Sequence, residues 1–212
     1  MLSALAARAS LWNRRRKLAL FMETMQPGPQ TRVVDVGVGD TGFGTEPGVA
    51  ASHNFFEALY PWPEQITAVS DVPLPNFARE FPQVRCVTAV GTELPFEDDA
   101  FELAFSNAVV EHVGSREEQR RFVAELCRVA PRVFLSTPNR WFPVETHTLV
   151  PFVHWLPRRT ADRVFCALRR KEWEGIELLT CSELLGLFPP GAEPRVVESL
   201  ITISVAVARA TK

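Results

Sequence analysis

The sequence predicts an α/β fold in which a doubly wound, mostly parallel sheet of seven strands carries helices on both faces. Strand-like and helix-like segments alternate along the chain, as they do where parallel strands are joined by right-handed helical crossovers. The first strand segment is a short β-branched run, as in buried parallel strands. The length of 212 residues suggests a single domain over 1–212.

The composition is that of an ordinary globular protein. Hydrophobic residues make up 46% and charged residues 23% of the chain, which excludes a disordered or collagen-like chain. The formal net charge of −2 argues against a globally basic nucleic-acid binder, so no nucleic-acid partner is expected. The longest apolar stretch, 200–208, is about as long as a strand and far too short to span a membrane.

The cysteines indicate neither a disulfide framework nor a zinc site. Cys86, Cys127, Cys166 and Cys181 are far apart, with no C-x-x-C pair among them. We therefore expect four buried, reduced thiols in a cytoplasmic protein, and no metal site.

The N-terminal segment 1–29 is basic and is predicted to form a helix followed by a turn. Leu11, Leu18 and Met22 lie at helical spacing, and no acidic residue precedes Glu23. A mitochondrial presequence has the same composition, but we favour an exposed basic helix. Its basic residues are Arg8, Arg14, Arg15, Arg16 and Lys17.

The next part of the chain predicts four strands with short helices between them. Asn54 and Glu57 have capping-box spacing, so a helix is expected through about residue 59. A second short helix is expected over 77–81, and the Gly- and Pro-rich segment 43–51 is expected to be a loop. The predicted strands are 33–36, 66–69, 84–90 and 102–106.

The second half predicts three helices and three strands. Ser115 with Glu118, and Thr180 with Glu183, have the spacing of capping boxes that open two of the helices. The third helix, over 156–171, is basic and amphipathic. The predicted strands are 132–137, 195–200 and 201–208.

Two glycines follow the first predicted strand directly, at the edge where doubly wound sheets bind ligands. Gly37 and Gly39 permit a tight turn and a close approach of a ligand to the backbone. With Gly42 they satisfy G-x-G-x-x-G, which keeps an NAD-dependent oxidoreductase as an alternative. That fingerprint normally runs straight into a helix, and the Gly- and Pro-rich residues after Gly42 cannot form one.

The most specific stretch of the sequence is 94–113. It contains the apolar turn Leu94-Pro95-Phe96, the fourth strand and the exit Glu111-His112. Together with Asp35-Val36-Gly37-Val38-Gly39, it resembles the class I S-adenosylmethionine-dependent methyltransferases, most closely the small-molecule type. The usual pattern of that type is L-P-F-x-D-x-S-F-D-x-V followed by x-x-V-L-E-H. The resemblance covers residues 30–140 well and the rest by topology.

The resemblance implies transfer of a methyl group from S-adenosylmethionine to an oxygen, nitrogen or carbon of a small-molecule acceptor. It also implies an antiparallel last strand, which fits the closing pair of strands. The cofactor-binding positions carried over are Asp35, Gly37 and Gly39 at the methionine end, Leu94 near the adenine, and Asn107 and Ala108 at the end of the fourth strand.

Two positions depart from the family pattern. Ser70 stands where an acidic residue usually holds the ribose, with Asp71 one residue later, and we take both as cofactor-binding candidates. Val90 stands where another acidic residue is usual. These departures keep a second hypothesis open, a non-catalytic binding or scaffold protein with the methyltransferase fold.

The segment 139–175 is predicted to be an insertion that closes over the acceptor. Its first part combines aromatic residues with a few polar groups, as a small-molecule pocket requires. His112, His147 and His154 are the candidate catalytic bases if the acceptor is a hydroxyl. The basic helix over 156–171 suits an anionic or lipid-linked acceptor, although a solvated helix face is the simpler interpretation.

Overall fold

The computed structural model describes residues 2–43 and 53–208, and side chains from residue 11 onward. Its centre is a seven-stranded sheet in the order β3-β2-β1-β4-β5-β7-β6. Strands β1 to β5 are parallel, and β7 runs antiparallel to both β5 and β6. The strands are β1 (Val33–Val36), β2 (Ile66–Ser70), β3 (Arg85–Thr88), β4 (Leu103–Asn107), β5 (Arg132–Pro138), β6 (Arg195–Ser199) and β7 (Thr202–Ala208). The predicted fold class is confirmed, including its antiparallel last strand.

Six α-helices are present in the described residues, connected in part by short 3₁₀ turns. They are α1 (Leu2–Met25), α2 (Phe55–Leu59), α3 (Pro75–Glu80), α4 (Arg116–Val129), α5 (Arg158–Ala167) and α6 (Cys181–Leu185). In this part of the chain no helix combines the length and the hydropathy that crossing a bilayer requires.

The sheet separates two apolar layers because successive side chains of a strand point to opposite faces. Val34 and Val36 face one layer, in which α4 packs through Phe122 and Leu126. Val33 faces the other layer, to which α1 and α2 contribute.

Helix α1 is held against the sheet through Phe21, which is fully buried. Its ring makes edge-to-face contacts with Phe56, Phe105 and Phe134 at centroid distances of 5.1, 5.4 and 5.5 Å. Each such pair adds about 0.5–1.5 kcal/mol beyond its area burial. The predicted N-terminal helix is therefore an integral part of the fold.

Two of the three predicted capping boxes are confirmed. Ser115 opens α4 and Thr180 opens α6, each with the reciprocal side-chain and backbone hydrogen bonds of the motif. The prediction for Asn54 is wrong, because its backbone is left-handed and its side chain instead donates to the backbone oxygens of Gly39 and Thr41.

Two further predictions differ from the structure, and a third falls almost entirely on residues that it does not describe. The basic helix is shorter than 156–171, because its last residues turn at Arg169, which has positive φ. The cysteines are not all buried, since Cys86 and Cys166 are exposed. The expected loop 43–51 lies outside the described residues except for Phe43.

Candidate functional site

Two adjoining cavities open at the carboxyl ends of the central strands. The first, about 470 Å³, is here named the strand-end cavity, and its lining includes Gly37, Asp71 and Phe122. The second, about 670 Å³, is named the helix-side cavity and lies between α1, the end of β4 and the segment after β5. Ala108 and His112 line both cavities.

The turn after β1 brings backbone to the strand-end cavity. The amide of Gly37 donates to the carbonyl oxygen of Val69 at 2.9 Å, and its φ is +103°. A Cβ at this position would lie 2.1 Å from Cγ2 of Val109. Glycine is required here both by the backbone conformation and by close packing against the exit of β4. The second glycine, Gly39, does not line the cavity in the part of the chain that the structure describes.

The end of β2 supplies one of the two carboxylates that line the strand-end cavity, and the other belongs to Glu118. Ser70 is buried, Asp71 is exposed, and both line the cavity. Val90, Phe122 and their neighbours add apolar walls. An exposed carboxylate beside apolar walls suits a ligand that combines hydroxyl groups with a flat apolar ring.

Asp35, predicted to bind cofactor, lies on the opposite face of the sheet from this cavity. Its carboxyl is buried beside Glu57 of α2, and burial and the neighbouring carboxyl raise the pKa of Asp35 well above its usual range. Burial also raises the pKa of Glu57. Among the described residues, neither carboxyl oxygen of Glu57 has a hydrogen-bond partner of good geometry. The pair therefore holds a proton to a higher pH than free carboxyl groups do.

The other predicted cofactor residues are divided between the cavities and the core. Ala108 lines both cavities, while Asn107 lines the helix-side cavity. Leu94 is buried in the α4 layer, and Glu125 accepts a hydrogen bond from its amide at 2.7 Å. The segment after β3, including Val90, lines the strand-end cavity instead.

The helix-side cavity has a basic wall contributed by α1. Lys17 is 4% exposed, and its Nζ donates to Oδ1 of Asn107 at 2.6 Å. Burial and the charge of Arg14 lower the pKa of Lys17 to about 7. Burial also lowers the pKa of Arg14 to about 10. The sequence assigned both residues to an exposed helix face, because the docking of α1 onto the sheet has no local signal.

Two of the three predicted catalytic histidines meet at the helix-side cavity. The rings of His112 and His147 are perpendicular, with centroids 5.0 Å apart. Burial lowers the pKa of His112. Burial opposes protonation of His147, but its hydrogen bond to Glu145 and the charge of Glu111 together raise its pKa.

His154 lies apart from these two histidines. Its Nε2 is 3.0 Å from the carbonyl oxygen of Phe142, and it lines a separate small cavity near Arg158 and Trp173. The structure therefore brings together only the first two histidines of the predicted set.

The aromatic residues of the predicted insertion are only partly in the site. Phe142 lines the helix-side cavity, whereas Trp141 and Phe152 are 61% and 54% exposed. The basic residues of α5 face outward, and Arg158 pairs with Asp162 and Glu177 at 2.9 and 3.2 Å. This arrangement favours the solvated helix face over an anion site on α5.

The middle of the chain matches a known protein family. Residues 34–132 match the family model described as a methyltransferase domain. No curated protein matches the chain.

Several solved structures share the fold at low identity. One is a SAM-dependent methyltransferase, possibly a histamine N-methyltransferase, from Thermotoga maritima (14% identity, 91% of this chain and 88% of that chain, TM-score 0.56). Another is the 1,6-didemethyltoxoflavin-N1-methyltransferase of Burkholderia thailandensis with 1,6-didemethyltoxoflavin and S-adenosylhomocysteine bound (16% identity, 97% of this chain and 79% of that chain, TM-score 0.53). The [4+2]-cyclase SpnF is also similar (14% identity, 93% and 81% coverage, TM-score 0.59).

Proposed function

We propose that this chain transfers the methyl group of S-adenosylmethionine to a small-molecule acceptor, and the match of residues 34–132 to the methyltransferase-domain model supports the proposal. The observation that carries the proposal is the wall of Ala108 and His112 shared by two adjoining cavities. Methyl transfer requires donor and acceptor to be held in contact and in line, and two sites with a common wall provide that proximity. The cytoplasmic location expected from the sequence is part of this proposal.

The residues of the strand-end cavity fit the cofactor. S-adenosylmethionine supplies an activated methyl group on a sulfonium when it is bound. Asp71 offers carboxylate oxygens to the ribose hydroxyls, and the apolar surfaces of Val90 and Phe122 suit the adenine. A cavity of about 470 Å³ falls within the range of small-molecule sites.

The helix-side cavity is proposed to hold an acceptor that carries an anionic group. Arg14 and Lys17 line it, and Lys17 is held at its end by Asn107. With a pKa of about 7, Lys17 gains its proton readily when an anion binds next to it. His112 and His147 line this cavity and are proposed to face the reacting atom of the acceptor. His154 lines a different cavity and has no such proposed role.

Isothermal titration calorimetry with S-adenosylmethionine and S-adenosylhomocysteine tests the proposal. We expect one site per chain for each ligand, with affinity reduced roughly 10-fold in Asp71→Asn. Asp98→Asn is the matched control, because Asp98 is an exposed carboxylate that pairs with Arg128 at 3.0 Å and lies outside the cavity lining. Absence of binding by the wild-type chain at about 1 mM ligand would exclude the proposal.

Ser70 supports a second candidate, a binding protein that does not methylate. Its hydroxyl stands at the end of β2, at the position where the methyltransferase pattern has an acidic residue, and accepts a hydrogen bond from the amide of Val72 at 3.4 Å. The carboxylate at this strand end, Asp71, comes one residue later in the chain. Release of S-adenosylhomocysteine in an acceptor screen that includes anionic small molecules distinguishes the two. Any acceptor-dependent release excludes the binding-only function.

A further inference from the structure

Three side chains with metal-ligating atoms meet at the wall between the two cavities. They are Glu111 and His112, which follow β4, and His147, which follows β5. One ligand atom of each lies within 4.8 Å of the others, and Nε2 of His147 is 3.9 Å from Oε1 of Glu111. No local spacing motif joins them, since 35 positions separate His112 from His147.

The carboxylate of Glu111 is buried and only half satisfied. Glu111 is 0% exposed, and its Oε2 accepts a hydrogen bond from Oγ1 of Thr137 at 2.9 Å. Its Oε1 has no hydrogen-bond partner among the described residues and faces His147. A buried carboxylate oxygen without a partner is costly, so its persistence indicates a group that binds there.

His147 is oriented as metal-binding histidines are. Its Nδ1 lies 2.7 Å from Oε1 of Glu145, a carboxylate that also accepts from the amides of His147 and Thr148. This hydrogen bond assigns the ring proton of the neutral imidazole to Nδ1, and it leaves the lone pair of Nε2 facing Glu111. A carboxylate behind a ligating histidine is the usual arrangement outside the ligand shell of a metal site.

We propose that Glu111, His112 and His147 bind a divalent first-row transition cation. Two imidazoles and one carboxylate are a donor set suited to Zn²⁺, Co²⁺ or Fe²⁺, whereas Mg²⁺ prefers oxygen ligands alone. Ligand atoms around such an ion lie roughly 3.0–3.4 Å apart, so the three side chains move inward when it binds. Rotation of the two histidine rings supplies that movement.

Three protein ligands leave coordination positions open, as in catalytic rather than structural metal sites. His112 and His147 both line the helix-side cavity, so the open positions face the proposed acceptor. This part of the inference rests on the proposed function, and it narrows the acceptor to a molecule that offers an oxygen ligand to the cation. A hydroxyl oxygen held there loses its proton more easily than in water.

Metal binding to the full chain, measured without any acceptor, tests the site directly. After treatment with a chelator, we expect the wild-type chain to bind one Co²⁺, with visible absorption bands. Addition of Zn²⁺ should displace the Co²⁺ and remove these bands. Glu111→Gln and His147→Gln should each weaken Zn²⁺ binding about 100-fold or more, and Glu145→Gln about 10- to 100-fold. His154→Gln is the matched control and should bind the ion as the wild type does.

The same samples are titrated with S-adenosylhomocysteine, which separates this inference from the proposed function. Retained binding of S-adenosylhomocysteine shows that a variant is folded, and circular dichroism checks this independently. A wild-type chain that binds no Co²⁺ or Zn²⁺ overturns the metal site, and protonated His147 between two carboxylates then explains the cluster. Equal ion affinity in the wild type and in Glu111→Gln and His147→Gln overturns it as well. Metal binding by a wild-type chain that does not bind S-adenosylhomocysteine leaves the metal site standing and removes the proposed function.

Discussion

The two cavities share a wall but are built in different ways. The strand-end cavity is formed largely by turns that leave consecutive strands of one sheet edge, and backbone and apolar side chains contribute most of it. The helix-side cavity is formed mainly by side chains of α1, the exit of β4 and the segment after β5. Its lining contains six basic or titratable groups, which are Arg14, Lys17, His53, His112, His147 and Glu172. A backbone-built site tolerates little change in shape, whereas a side-chain-built site can change its charge without changing its fold.

The largest expected effect is at the turn of the strand-end cavity. Gly37→Ala places a Cβ against Val109 and forces an alanine to adopt a φ of +103°. Backbone strain and overpacking together should cost about 4 kcal/mol of unfolding free energy, measured by urea denaturation. Gly39→Ala is the control, because its added Cβ has a single neighbour, Oγ1 of Thr41, at 4.0 Å. Equal stability of the two variants would contradict the backbone-built description.

A smaller effect is expected at the basic wall of the helix-side cavity. The folded state holds the proton of Lys17 less tightly than the unfolded chain does, because its pKa is lowered to about 7. Burial of the charged Lys17 therefore lowers the free energy of unfolding. This penalty is complete below pH 7 and is lost as the pH rises toward 10.5, the pKa of Lys17 in the unfolded chain.

Lys17→Met removes that penalty and should stabilise the protein by about 2–3 kcal/mol at pH 6, with the gain shrinking as the pH rises above 7. Urea unfolding at pH 6, 8 and 10 measures it, with Arg15→Met as the control on the same helix. A constant difference across this range would show that Lys17 is not desolvated.

Substitution of Asp35 tests whether the acidic residue of β1, just before the turn at Gly37, contributes to cofactor binding. The raised pKa values of Asp35 and Glu57 mean that the folded state holds a carboxyl proton to a higher pH than the unfolded chain does. Their stabilising contribution is present below the unfolded pKa and is lost as the pH rises through the folded one. Asp35→Asn should therefore be more stable than the wild type at pH 8 and should lose less stability between pH 4 and pH 8, as urea unfolding at the two pH values measures.

The affinity of Asp35→Asn for S-adenosylhomocysteine, measured by calorimetry, decides the role of the residue. An unchanged affinity fits a core carboxyl pair. A fall of 10-fold or more would restore Asp35 to the cofactor site.

The smallest effect concerns the two capping boxes, which lie in different surroundings. Ser115→Ala and Thr180→Ala should each cost about 1 kcal/mol of stability, because each removes one cap. Only the first should also weaken S-adenosylhomocysteine binding, by a few-fold, since Gly114 and Glu118 line the strand-end cavity. Equal losses of affinity would show that capping, rather than the cavity wall, is responsible.

Local signals predicted most of the elements. β-Branched runs, capping spacings and breakers at the ends of elements indicated the seven strands and the main helices within a few residues. The failure at Asn54 has a non-local cause. Asn54 has a capping-box partner three residues on, but the fold brings the backbone oxygens of Gly39 and Thr41 close enough to accept hydrogen bonds from its side-chain amide. Competition of this kind depends on what the fold brings near and has no trace in the spacing.

The sequence by itself determined the α/β fold class, the resemblance to methyltransferases and the sheet edge at which we propose that ligands bind. These follow from short-range rules, because turns, caps and strand periodicity involve neighbouring residues. The tertiary structure alone decided that Asp35 faces Glu57, that Lys17 of α1 reaches Asn107, and that Glu111, His112 and His147 meet. Such contacts are set by how a helix docks and where a loop returns, and these depend on packing between segments that are distant in the chain.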